Sequence, residues 1–212
     1  MRPIPYEELS TLIHQKIPLG MFRSGRSPAR GIYPGQIYLP AAGLHRVPWL
    51  MDIFPPDIQG VIESADEHTI TTFSMRYAIY AKFERWIPSA YFQRWQLDNS
   101  PDYVITISPI ELAIEIRTAR NTGTPIEIID LRHENDHSDA SLPYGVLFHP
   151  MEILDQLDKV PDDQVYYVLC EDGEAALCFA TVMKRFGFHN FYPVEDGWKG
   201  LSQLPTTEDF VE

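Results

Sequence analysis

The spacing of apolar positions changes character near residue 104. Beyond it, short β-like runs alternate with helical patterns. Ser108-Pro109-Ile110-Glu111 reads as an N-cap, a proline at the first helical position and a capping-box acid, opening a helix to about residue 121. Residues 125–130 predict a buried strand, 145–148 a short strand, 151–157 a short helix and 165–169 another strand. A helix is expected over 175–186, stopped by Gly187, and then a last strand over 191–194. Residues 197–201 lead into a tail. Strands alternating with helices predict an α/β fold, a largely parallel sheet flanked by helices.

The first hundred residues are less regular. Residues 6–14 have helical spacing with acids in the first turn. Residues 19–60 are rich in Pro and Gly, with short apolar runs such as 35–39, and suggest short strands and loops. Residues 70–86 fit both periods. Ala78, Ala81 and the charged Lys82, Glu84 and Arg85 favour helix, with Pro88 as its stop and Ser89 capping a second helix over 90–97. The expected layout is a mixed, mainly helical segment over 1–100 packed on the α/β part, a domain over 104–203 and an acidic tail over 204–212. The boundary falls in the turn-rich stretch 98–102. No internal repeat is visible.

Charge sharpens that division. The chain carries −13 overall, yet residues 1–103 hold ten Lys/Arg and ten Asp/Glu. Residues 104–212 hold seven Lys/Arg against twenty Asp/Glu, so the whole imbalance belongs to the second part. Such a surface disfavours nucleic acid and anionic lipid; it reads first as a solvated acidic face, with a basic protein partner as the alternative. No apolar run is long enough to span a membrane, and the N-terminus has no apolar signal-like region. Only Cys170 and Cys178 are cysteines, so a reducing, cytoplasmic setting is expected. No metal or cofactor is expected. His133 and His137, with Glu134 and Asp136, read as a solvated loop.

Cys170 is the candidate for chemistry. It ends a β-like run and opens the stretch Glu171, Asp172, Gly173, Glu174, Ala175, Ala176, which enters a helix. A strand-to-turn-to-helix passage gathers free backbone N–H groups around the sulfur, a cradle for an anion. Cys178 lies in an apolar run and reads as core. Arg23, Arg26 and Arg30 form the one basic cluster, read either as an ordinary loop or as an anion-binding patch. Tyr77, Tyr80, Phe83, Trp86, Tyr91, Phe92 and Trp95 form an aromatic belt expected to pack the first part on the second.

Four pieces together resemble the rhodanese homology domain, over about residues 104–203. Asp130-Leu131-Arg132 is similar to the family's Asp-x-Arg after a core strand, and implies structural support by Asp130 and Arg132. Pro143 stands in register with a Gly-His-Ile-Pro-Gly-Ala stretch, although Ala140 and Ser141 break its opening. Cys170 falls where the family places its persulfide-forming cysteine. Gly187 to Tyr192, then Asp196-Gly197-Trp198, is similar to the family's ending, with Asp196 in place of a glycine. The resemblance implies a sulfurtransferase that holds sulfane sulfur on Cys170 without a cofactor.

The loop departs from that family. Active members usually read Cys-x-x-Gly-x-Arg-Ser, and here Ala175 and Ala176 stand for the arginine and serine. Three carboxylates replace the cation. Unit charges ~5–6 Å apart at an effective dielectric of ~20 repel by roughly 3 kcal/mol, enough to cancel much of what loop amides give a thiolate. Two readings therefore stand. One is a sulfurtransferase fed by a neutral or cationic small molecule or a protein persulfide. The other is an inactive binding or regulatory module. A phosphatase would need Cys-x5-Arg, and no arginine follows Cys170 before Arg185.

Overall fold

The computed structural model describes residues 2–17, 19–22, 30–40, 49–50, 60–64, 70–71, 83–132, 145–147, 150–161 and 163–205. The chain divides into two compact units, Met1–Val104 and Ile105–Glu212.

The first unit is built on a sheet. Its elements are β1 (Arg2–Pro3), α1 (Tyr6–His14), β2 (Leu19–Phe22), β3 (Ile37–Leu39), β4 (Gly60–Ser64), β5 (Phe83–Pro88) and α2 (Ala90–Trp95). The strands pair in parallel in the order β1-β5-β4-β2-β3. The α/β class therefore reaches into the first unit: its described residues form a parallel sheet that the mainly helical expectation does not include. The reason is clearest in β5. It lies between β1 and β4, and Ile87 is wholly buried. Pairing on both sides overrides the helical reading of 83–86. Residues 72–82, with Tyr77 and Tyr80, lie outside the described residues. Ser89 is no N-cap: its backbone is helical and its side chain caps nothing.

Of the aromatic residues expected to pack the first part on the second, those whose side chains are described pack within the first unit. Phe92 and Trp95 are buried with Leu9, Leu12, Val61 and Ile87, and Tyr91 packs against them. The Tyr33 ring meets Phe92 and Trp95 edge-on at 5.1 and 5.0 Å. Trp86 is buried on β5.

The second unit contains α3 (Pro109–Thr122), β6 (Glu127–Asp130), β7 (Gly145–Leu147), α4 (Pro150–Leu154), β8 (Tyr166–Leu169), α5 (Glu174–Arg185), β9 (Phe191–Pro193) and α6 (Gly197–Leu201). The predicted capping box opens α3. The Ser108 hydroxyl accepts from the Glu111 amide, and the Glu111 carboxylate accepts from Ser108 N–H. The helix buries Leu112, Ala113, Ile116 and Ala119. At the end of α5 the Phe188 amide reaches back to Met183 O and the Gly187 amide to Lys184 O, a Schellman closure.

The second sheet is also parallel, in the order β7-β6-β8-β9, and Ile107 bridges Val194 in parallel beyond β9. With that bridge counted as the first strand, both units run first-fifth-fourth-second-third across the sheet. The matching is local too. Ser89 N–H donates to Ser64 O at 2.8 Å, and Val194 N–H donates to Val168 O at 2.9 Å. A structural repeat is thus present where the sequence shows none. Among the described residues no helix is long and apolar enough to cross a membrane.

Candidate active site

Strand β8 delivers Cys170 to the C-terminal end of the second sheet, between β6 and β9. Its core residues explain the placement. Val168 and Leu169 are fully buried, so the chain reaches the edge of the core at Cys170, itself 2% exposed. The six residues from Glu171 to Ala176 then turn into α5. Gly173 is the N-cap, with φ of 82°, a left-handed conformation that side chains resist. Asp172 stands one place earlier. Its carboxylate accepts the Glu174 amide at 3.2 Å.

Ala176 N–H donates to the Cys170 sulfur at 3.3 Å. Burial nevertheless pushes the Cys170 thiol pKa above its ordinary value, against the pull of the Ala176, Asp172 and Ala175 amides, and the Asp172 carboxylate pushes the same way as burial. Desolvation, rather than the run of carboxylates, is the leading cause. It disfavours the charged form of any buried acid. Glu174 is itself buried, in the first turn of α5, where a helix N-terminus suits a carboxylate. Ala175 is half-buried and Ala176 fully buried.

Asp130 and Arg132 stand at and just after the end of β6, the strand beside β8. Asp130 ends β6 and pairs in register with Leu169, the residue before Cys170. Arg132 Nε donates to both Asp130 oxygens at 3.0 Å and Nη2 to Oδ2 at 2.7 Å. Both residues are buried. The Arg132 guanidinium also lies over the Trp198 ring, 4.3 Å from its centroid.

Sequence reasoning missed what Gly197 and Trp198 do. Trp198 N–H donates to Cys170 O at 2.8 Å, and Lys199 N–H to Glu171 O at 3.0 Å. So close an approach needs a glycine at 197. A Cβ there would stand 2.2 Å from Cys170 O and 2.7 Å from Gly173 N, and its φ is 53°. The signal was the Asp196-Gly197-Trp198 sequence itself, but backbone donors carry no mark of residue type.

Arg30 is exposed in the first unit, while Arg23 and Arg26 lie outside the described residues. So does the 133–137 segment. Among the described residues no three of His, Cys, Asp and Glu are grouped to hold a metal ion. Cys178 is fully buried on α5, and burial raises its thiol pKa, followed by the influence of Cys170. Both thiols are free.

A parallel α/β unit with a cysteine seated in loop amides at a strand end defines the class of site. Residues 113–204 match the family model for the Rhodanese-like domain, and over these residues the chain is a rhodanese-like domain. No curated protein matches the chain. Among solved structures, a Rhodanese-like Domain Protein from Staphylococcus aureus aligns at 20% identity over 46% of this chain and 91% of its own, with a TM-score of 0.39. A rhodanese-related protein from Thermoplasma volcanium aligns at 17% identity over 47% of this chain and 91% of its own, with a TM-score of 0.39. A Thiosulfate sulfurtransferase from Pseudomonas aeruginosa aligns at 11% identity over 95% of this chain and 42% of its own, with a TM-score of 0.34.

Proposed function

We propose that the second unit is a sulfurtransferase that carries sulfane sulfur as a persulfide on Cys170. The observation that supports this most is the seat of the sulfur, which faces the Ala176 amide at 3.3 Å in a rhodanese-like domain. The Cys170 thiolate attacks the outer sulfur of a donor R–S–SH. A new S–S bond forms, the donor's S–S bond breaks and R–S⁻ leaves. An acceptor nucleophile then attacks the outer sulfur of the persulfide, and the Cys170 thiolate departs. Loop amides stabilise the anionic sulfur in both steps.

The carboxylates set the donor class in this proposal. Glu171, Asp172 and Glu174 repel thiosulfate and favour a neutral or cationic persulfide, on a small molecule or on a basic protein. Arg132 is bonded to Asp130. The protein needs no cofactor for this chemistry.

Incubation with cysteine persulfide, followed by intact mass, tests the reading. A gain of one sulfur atom that disappears with Cys170→Ser supports it. No gain from any donor, in a folded chain, supports the second reading, an inactive binding module. That reading is favoured by one observation: the thiol is buried and held in its protonated form.

A further inference from the structure

The support of the Cys170 loop comes from α6, and its geometry is directional. In a trans peptide the C=O and the N–H point opposite ways. Glu171 O accepts Lys199 N–H from α6 at 3.0 Å. The N–H of that same peptide belongs to Asp172, and it is therefore turned away from α6. It is one of the amides that draw the Cys170 pKa down. Cys170 O, one peptide earlier, is held by Trp198 N–H at 2.8 Å.

What holds α6 in turn is the Trp198 ring. It is half-buried against the core of Ile107, Leu112, Leu169 and Leu201. One face of the ring lies under the Arg132 guanidinium at 4.3 Å. Arg132 is fixed by Asp130, which pairs with the residue before Cys170. The contacts thus form a closed circuit from the end of β6 through Arg132 and Trp198 to the Cys170 loop.

We propose that Trp198 is a positioning residue for Cys170: clamped by Arg132, it fixes the first turn of α6 so that the Lys199 amide keeps the Glu171–Asp172 peptide aimed at the sulfur. This rests on the reading of Cys170 as the reacting group, but it is tested without sulfur transfer. Indole offers a cation the strongest aromatic face, so substitutions at 198 grade the clamp. Proline at 199 deletes the amide outright.

The experiment follows iodoacetamide labelling of the Cys170 peptide in the full chain across pH. Lys199→Pro raises the labelling midpoint by about one pH unit, the tenfold factor of one hydrogen bond to a charged group. Lys199→Ala keeps the amide and leaves the labelling rate within about twofold, because an exposed charge is screened. Trp198→Leu moves the midpoint as Lys199→Pro does, and Trp198→Phe moves it by a smaller step in the same direction. A folded Trp198 variant with a lowered Tm and an unmoved midpoint overturns the proposal. If Trp198→Leu does not fold, Trp198→Phe decides alone by the same criterion. Equal midpoints for Lys199→Pro and Lys199→Ala also overturn it. A chain that shows these shifts yet gains no sulfur loses the persulfide reading and keeps this one.

Discussion

The carbonyl of Cys170 accepts a hydrogen bond from the amide of Trp198, 2.8 Å away. The residue between the loop and that donor, Gly197, has no room for a side chain: a Cβ would meet Cys170 O at 2.2 Å. Gly197→Ala must therefore shift the loop or α6, and it also forces an alanine into a left-handed backbone. The expected loss is about 2–4 kcal/mol of stability, read by urea unfolding. A variant within about 0.5 kcal/mol of the parent would show that the loop yields freely.

Removing Arg132 alone should be severe. Arg132→Met leaves Asp130 buried without its bidentate partner, a change that typically removes about 3–5 kcal/mol. Asp130→Asn with Arg132→Met removes both charges and should recover part of that loss. A double variant as unstable as the single one would mean that the pair acts through shape, not charge.

Cys170 should react slowly at neutral pH. Burial holds its thiol above the ordinary pKa. The midpoint of iodoacetamide labelling should therefore lie above the reference thiol value of about 8.5. Asp172→Asn should lower it modestly, since that carboxylate adds to the upward push. A parent midpoint below 7 would contradict the burial seen here.

Both buried thiols make the fold sensitive to alkali. Their folded pKa values are raised, so the unfolded chain releases these protons first. Stability is full below the ordinary thiol range and falls as pH rises above about 8.5. Urea midpoints at pH 7 to 9.5 test this, and Cys178→Ala should flatten the decline even though it lowers stability at pH 7. A slope unchanged by that substitution would assign the decline to other groups.

Restoring a cation should open the site to anions. Ala175 is half-buried at the place where related loops have arginine. Ala175→Arg should raise thiosulfate-to-cyanide sulfur transfer at least tenfold, which needs about 1.4 kcal/mol of transition-state stabilisation. Glu174 is better left in place, since it is buried in the first turn of α5. No gain in the folded variant would favour the binding-module reading.

The second unit was largely legible because its signals are local. The capping box at Ser108, the glycine after α5 and the apolar run into Cys170 each specify structure within a few residues. The order of the strands is not local. In the first unit, Arg2 pairs with Arg85, and nothing near either residue announces the other. That is why β5 was read as helix and the repeated strand order went unseen. The support of Cys170 was hidden for a different reason: Trp198 and Lys199 act through backbone amides, which every residue but proline has. The burial that raises the Cys170 pKa is likewise a property of the packed unit, not of the loop's composition.

The shared strand order has a consequence for synthesis. Among the described residues, the first strand of each unit sits at the sheet edge and pairs with the fifth. Arg2 and Pro3 leave the ribosome well before their partners Arg85 and Trp86, which come near the end of their unit. Ile107 likewise waits for Val194. Neither sheet can close while its last strand is still in the exit tunnel, so each unit must remain open, twice over, for most of its own translation.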